Sequence, residues 1–175
     1  MKFAFILDPL EHLKAYKDTS IAMMRAAQHR GHEVFAIMRG ALAWRDGVVD
    51  ADAMSIELQQ DNSVWYAQRD HMHVPLDHFD AVLMRQDPPF DFEYVAATWL
   101  LERAVAAGVR VFNDPRAIRD HSEKLSITEY PEFIPPTLVA RDPERLDTFI
   151  AEIGDVVLKP LDGMGGASVF RLRRD

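Results

Sequence analysis

The sequence predicts an α/β fold, a parallel sheet with helical crossovers followed by the beginning of a second domain. Three observations predict it. Residues 3–7, 34–38, 81–84 and 109–112 are short, continuous apolar runs, the mark of strands buried on both faces. Helical stretches lie between them and end on glycine, at Gly31 and Gly108. Pro131, Pro135 and Pro136 then interrupt the rhythm, and a new strand–helix–strand series starts behind them.

Taken in order, residues 3–7 form the first strand, which Asp8-Pro9 stops. Residues 20–30 are helical and residues 34–38 return as a strand, so a βαβ unit is the natural reading. Residues 40–78 break the pattern. Residues 42–45 and 48–49 flank Asp46-Gly47, a strong two-residue hairpin signal, and strand-like pieces follow at 56–58 and 64–66. This stretch is expected as an antiparallel excursion beside the sheet. Alternation resumes with a strand at 81–84, a helix at 92–107 carrying Val95, Trp99, Leu100 and Val105, and a strand at 109–112. A shorter helix is expected over 121–130. The proline cluster sets the boundary between an amino-terminal domain, residues 1–130, and the start of a second, residues 131–175. In the second, 137–139 is expected as a strand, 143–153 as a helix, 155–159 as a strand and 168–172 as a returning strand. A second domain is thus expected to begin without being completed.

The formal net charge of −8 disfavours a nucleic-acid or anionic-membrane surface, because phosphate binding needs a basic excess. It leaves room for one local anion site. The chain has no cysteine, which excludes disulfides, thiolate metal ligands and a cysteine nucleophile and is compatible with a reducing cytoplasm. The apolar start at 3–7 is too short for a signal-peptide core or a membrane helix, and no other uncharged stretch approaches spanning length. His71 and His73 would share a strand face, yet no third ligand has recognisable spacing, and a surface position is expected. Trp44, Trp65 and Trp99 read as core or edge packing rather than as a base-stacking platform.

Three expected strands run into polar residues: Asp8-Pro9, Arg85-Gln86-Asp87-Pro88-Pro89 and Asn113-Asp114-Pro115. Ligands of parallel α/β sheets bind outside the carboxyl ends of the strands, so these groups are candidates for one crevice. Asp8, Asn113 and Asp114 can equally stop strands and cap helices. Arg85 is well placed to clamp a carboxylate with its planar fork. The sharpest feature is the run Asp162-Gly163-Met164-Gly165-Gly166-Ala167-Ser168, preceded by Lys159 at the end of an apolar strand. Glycines let backbone N–H groups approach an anion, and the lysine adds a point charge. An ordinary hairpin is the alternative, but the run is longer than a tight turn needs. No lysine follows Gly166 as a P-loop requires, and no Gly-x-Gly-x-x-Gly follows the first strand, so NAD binding and Walker-type hydrolysis are disfavoured.

The segment from Asp80 through Met84-Arg85-Gln86-Asp87-Pro88-Pro89-Phe90-Asp91 closely resembles a characteristic stretch of prokaryotic glutathione synthetases, which are ATP-grasp enzymes. So do Asn113-Asp114-Pro115 with Arg119-Asp120 and Glu123-Lys124-Leu125, and Leu158-Lys159-Pro160-Leu161 with the glycine run. Asp8-Pro9 and Lys17-Asp18-Thr19-Ser20 fit as well. The resemblance follows the whole chain in order and covers a little over half of a typical family member.

The resemblance implies a Rossmann-like, pre-ATP-grasp amino-terminal domain followed by the beginning of an incomplete ATP-grasp domain. It implies ATP-dependent ligation of γ-glutamylcysteine and glycine to glutathione through an acyl phosphate, in a cytoplasmic homotetramer. It implies that Lys124, Lys159, Gly163, Met164, Gly165, Gly166, Ala167 and Ser168 contact ATP, and that Arg85, with Lys17 and Asp18, helps bind γ-glutamylcysteine. Spacing alone would read Lys124 as a solvated helix charge. Magnesium is also implied, with its ligands, much of the adenine pocket and the glycine site past Asp175. No catalytic residue and no metal ligand is assigned within the 175 residues, and the chain by itself is expected to be inactive. The alternatives are another ATP-grasp carboxylate–amine ligase and a stand-alone nucleotide-binding regulatory module; residues 84–91 argue against the first.

Overall fold

Phe5 and Ile6 are neighbours whose side chains leave the first strand on opposite faces, and they are only 2% and 1% exposed. A strand covered on both sides must be apolar at every position, which is why residues 3–7 carry no polar alternation. The structure is a computed structural model of the 175-residue chain and describes residues 1–163, 166 and 168–173. It divides into two compact units, residues 1–87 with 91–120 and residues 88–90 with 121–175.

The first unit is built on a six-stranded, mainly parallel sheet in the order β4-β3-β2-β1-β5-β6. Central β1 (Lys2–Leu7) pairs parallel with β2 (Glu33–Arg45) on one side and with β5 (Ala81–Met84) on the other, and β5 pairs parallel with β6 (Val111–Phe112). Helix α1 (Thr19–His29) connects β1 to β2, and α2 (Phe92–Ala106) connects β5 to β6. These crossovers run in opposite directions along the sheet, so right-handed connections place the two helices on opposite faces. On the α1 face, Ile21 and Met24 pack with Phe5, Leu7, Val34, Ala36, Ile56 and Trp65. Each such large side chain contributes about 1.5–3 kcal/mol on burial. On the α2 face, Leu101 and Ala104 are buried, as are Ala4, Ile6, Phe35 and Ile37 of β1 and β2.

Caps explain the helix bounds. Asp18 accepts from the Ser20 and Ile21 N–H groups at the start of α1, at 2.7 and 3.1 Å. Asp91 does the same for α2 through the Tyr94 N–H at 2.9 Å. Gly108, at φ +97°, lets the chain leave α2 in a left-handed conformation.

Residues 40–78 belong to the sheet itself, which corrects the expectation of an excursion beside it. Strand β2 is continuous from Glu33 to Arg45, so one strand pairs parallel with β1 and antiparallel with β3 (Val48–Leu58). An irregularity between Ile37 and Leu42, with Gly40 at φ +81°, bends it between the two tasks. Asp46 and Gly47 form the expected turn, both at positive φ, and β4 (Tyr66–Pro75) completes the antiparallel side. The helix expected over 121–130 is instead α3 (Pro115–Asp120), followed by a single 3₁₀ turn at Ser126–Glu129. Asp114 caps α3 through the Arg116 and Ala117 N–H groups, both at 2.9 Å, with Pro115 at its first position. The strand expected at 109–112 shortens to two residues because the Val109 N–H is spent closing α2 on the Ala104 carbonyl. Trp65 is buried as expected, whereas Trp44 and Trp99 are 54% and 47% exposed. His71 and His73 are exposed on β4.

The second unit holds α4 (Pro143–Ile153) and an antiparallel pair, β7 (Asp155–Leu158) and β8 (Phe170–Arg173). Asp142 caps α4 and Gly154, at φ +81°, ends it. Residues 137–139 form no strand. They follow Pro135-Pro136 and have no ladder partner among the described residues, and a strand exists only as half of a pair. None of the described residues of this unit is buried.

Candidate functional site

The parallel strands of the first unit end on charge. Leu7 of β1 hands over to Asp8, and Met84 of β5 hands over to Arg85-Gln86-Asp87. The backbone ladder runs one residue past β5, where the Arg85 N–H donates to the Ile6 carbonyl at 2.9 Å; beyond it the Asp87 N–H donates to the Asp8 side-chain carboxylate instead, at 2.7 Å. Helix α1 begins at the same edge. Arg85 reaches it through Nε–H to Ser20 Oγ at 3.0 Å and Nη2–H to Thr19 Oγ1 at 2.8 Å. The structure therefore brings together Arg85 and Asp18, two of the three residues expected for the acid substrate. Asp18 also serves as the helix cap, and Arg85 is held by two hydroxyls that fix its fork without neutralising it. Lys17, the third, is exposed at the entry to α1, its backbone N–H bonded to the Lys14 carbonyl.

The field at this edge is set by three carboxylates around one guanidinium. Partial desolvation, then the negative charges of Asp8 and Asp18, push the Asp87 carboxyl above its ordinary range, and Arg85 offsets part of this. Burial first, and then Asp87, raise the Tyr94 phenol above its usual value; Asp8 adds to this and Arg85 opposes it. Such an edge offers a cation a place among the carboxylates and a carboxylate a place at Arg85. On α2, the Tyr94 N–H and then Arg39 hold the Asp91 carboxyl below its ordinary range.

Arg39, Gln86 and Tyr94 were given no role from sequence. Arg39 pairs with Asp91 and approaches Glu93 at 3.4 Å. The Asp91 partner lies 52 residues away in the chain, so no local pattern announces the pair. Gln86 stands inside the quoted segment, and its position on a run of buried residues was the available signal.

In the second unit, the residues expected for nucleotide divide into three groups. Lys124 lies in the turn after α3 rather than on a helix, and its ammonium donates to the Gly163 carbonyl, 39 residues on. The same ammonium lies 3.9 Å from the Glu123 carboxylate. Lys159 is exposed directly after β7, and Gly166 (φ +81°) and Ser168 (φ +55°) lie exposed before β8. Met164, Gly165 and Ala167 lie outside the described residues. Among the described residues no group of three or more His, Asp or Glu side chains is arranged to hold a metal ion, so magnesium is assigned no residue and no step. No helix among them is long and apolar enough to cross a membrane.

Comparison with known proteins gives these sites a setting. Residues 1–119 match the model of the prokaryotic glutathione synthetase N-terminal domain, and residues 123–175 that of the prokaryotic glutathione synthetase ATP-grasp domain. The glutathione synthetase of Ralstonia nicotianae is 53% identical over all 175 residues, which make up 54% of that protein. That of Vibrio cholerae is 45% identical over 173 residues, covering 99% of this chain and 54% of its own. The chain thus spans about half the length of the relatives it matches. Among solved structures, D-alanyl-alanine synthetase A from Vibrio cholerae superimposes with a TM-score of 0.54 at 14% identity, over 99% of this chain and 53% of that one. The ATP-grasp ligase PsnB, complexed with a minimal precursor, does so with a TM-score of 0.52 at 20% identity, over 98% and 57%. These two share the fold of this chain, and the sequence matches establish the lineage: the chain belongs to the prokaryotic glutathione synthetase family.

Proposed function

We propose that the first unit binds γ-glutamylcysteine at the carboxyl edge of β1 and β5, and that the second unit contributes Lys124, Lys159 and the glycine-rich run to ATP. The observation that carries the reading is the convergence of Arg85 with Asp8, Asp18 and Asp87 at one sheet edge. An amino-acid head group carries an ammonium and a carboxylate, and this edge offers partners for both. The ammonium relieves the mutual repulsion of the three carboxylates, and the Arg85 fork takes a carboxylate oxygen. Residues 1–130 serve as the substrate-binding part, Lys124 excepted, and residues 131–175 as the start of the nucleotide-binding part.

In the reaction, an oxygen of the acid's cysteinyl carboxylate attacks the γ-phosphorus of ATP and ADP leaves. Glycine's amine then attacks the acyl carbon, phosphate leaves, and the nitrogen gives up a proton. What these residues supply is positioning and charge. The lysines and the N–H groups of the run oppose the negative charge on the phosphates, while Arg85 and the carboxylates hold the acid still. When bound, magnesium would supply positive charge against the phosphates; none of the residues described is assigned to hold it. Family membership supports a cytoplasmic homotetramer for the intact protein.

Because the chain spans about half of its relatives, ligation is expected to need more than these 175 residues. A coupled ADP-release assay with γ-glutamylcysteine, glycine, ATP and magnesium tests this. The 175-residue chain is expected to give no turnover above background. Clear turnover would show that the chain is sufficient.

A further inference from the structure

Three buried side-chain atoms among the described residues have no hydrogen-bond partner: Arg39 Nε, Gln86 Nε2 and Asp50 Oδ1. The two nitrogens are donors, and both belong to the edge described above. In the β1–β2 register Leu7 faces Met38, so Arg39 stands one step on, level with Asp8. In the β1–β5 register Ile6 faces Met84, so Gln86 stands two steps on, again level with Asp8. Arg39, Asp8 and Gln86 therefore form a row across three strands. Alternation from buried Ile37 and Met84 puts Arg39 and Gln86 on the α2 face, opposite to Arg85, while Asp8, just past β1, turns its carboxylate onto the Asp87 N–H between them. Adjacent strands lie about 4.8 Å apart, so the outer two backbones are about 10 Å apart, within joint reach of two long side chains.

A buried donor without an acceptor costs free energy, so native structures rarely keep one unless it serves something. Gln86 is only 6% exposed. The Arg39 Nε–H has the Glu93 carboxylate at 3.4 Å, outside hydrogen-bond geometry, while the same guanidinium is anchored to Asp91. The row reads donor, carboxylate, donor. That is the complement of a zwitterion whose ammonium lies on Asp8 and whose carboxylate lies on the flanking N–H groups.

We propose that Gln86 Nε2, assisted by Arg39 Nε, is the specificity-determining donor for the α-carboxylate of the glutamyl residue. This rests on the reading that the edge binds γ-glutamylcysteine. That acid has two carboxylates, and the cysteinyl one must meet the γ-phosphate. The cysteinyl carboxylate falls to the Arg85 fork, and the one left for the Gln86 row is the glutamyl α-carboxylate, with the α-ammonium beside it on Asp8.

The experiment follows the Gln86 side-chain amide in ¹⁵N NMR spectra of the wild-type chain while γ-glutamylcysteine is added. In parallel, affinities are measured for γ-glutamylcysteine and for 4-aminobutyrylcysteine, which keeps the amine and lacks the α-carboxylate, on wild type and on Gln86→Met. The expected result is a saturable shift of the Gln86 amide. Gln86→Met should lose about ten- to a hundredfold in affinity for γ-glutamylcysteine, as for a hydrogen bond to a charged group, and nothing for 4-aminobutyrylcysteine. If the Thr19, Ser20 and Arg85 amides respond while the Gln86 side chain does not, or if Gln86→Met weakens both ligands equally, the inference fails and acid binding at the edge stands. If no resonance of the edge responds, acid binding fails and the inference falls with it. The wild-type titration decides even if Gln86→Met does not fold.

Discussion

The two units use the same vocabulary of capped helices and short strands with opposite results. In the first, β1 is flanked by strands on both sides and by helices on both faces, and its central side chains are almost fully hidden. In the second, α4 is capped at both ends and β7 pairs in register with β8, yet no described residue is buried. The bidentate Asp155–Arg171 pair, at 2.9 and 2.7 Å, is exposed and holds the hairpin only weakly. Local signals define elements, but only burial gives them stability, and an isolated two-stranded ribbon is marginal in water. The matched relatives carry nearly as much chain again, and the exposed Val157, Leu158 and Phe170 are apolar surface that the second unit alone does not cover.

The largest expected effect separates the units at their apolar residues. Phe5→Ala should cost about 3–5 kcal/mol in urea unfolding of the first unit, because it opens a cavity between β1 and α1. Phe170→Ala, at a residue 56% exposed, should stay within about 0.5 kcal/mol. Equal losses would break the contrast. The helix caps come next. Asp18→Ala removes the acceptor of two N–H groups and should cost about 1 kcal/mol in the same transition, whereas Asp142→Ala should leave that transition in place.

The smallest effect is electrostatic and sharpens the view of the edge. The Asp87 carboxyl is raised above 3.8, so the native state holds its proton more tightly than the unfolded chain does. Stability is therefore lost as pH rises from about 3.8 through the raised native value, and stays level above it. Asp87→Asn should be modestly more stable than wild type at neutral pH, with the gain vanishing below pH 3.8; urea midpoints across pH measure it. A variant less stable at neutral pH would mean that the ionised carboxylate is held by favourable contacts rather than crowded by Asp8 and Asp18.

Sequence carried the first unit far, because continuous apolar runs and glycine stops mark a parallel sheet without reference to anything distant. It misjudged residues 40–78 because a strand that is parallel at one end and antiparallel at both has no single local signature; only the partner strands reveal it. It started α3 too late: Asp114 was weighed as a helix cap as well as a strand stop, but the helix was placed at 121–130 and not directly behind that cap. At the edge, Arg85 was legible from its place after an apolar strand. Its Thr19 and Ser20 partners, the Arg39–Asp91 pair and the row through Asp8 depend on sheet register, which no motif encodes.

The central claim is that the finished first unit carries an acid-binding edge of its own, independent of turnover. Calorimetric titration of γ-glutamylcysteine into the 175-residue chain, beside the same chain with Arg85→Met, tests it most directly. The account predicts saturable binding at one site per chain that Arg85→Met weakens at least tenfold, as expected when a charged hydrogen-bond partner is removed. No binding heat at any concentration, or equal affinity in the two proteins, would contradict it.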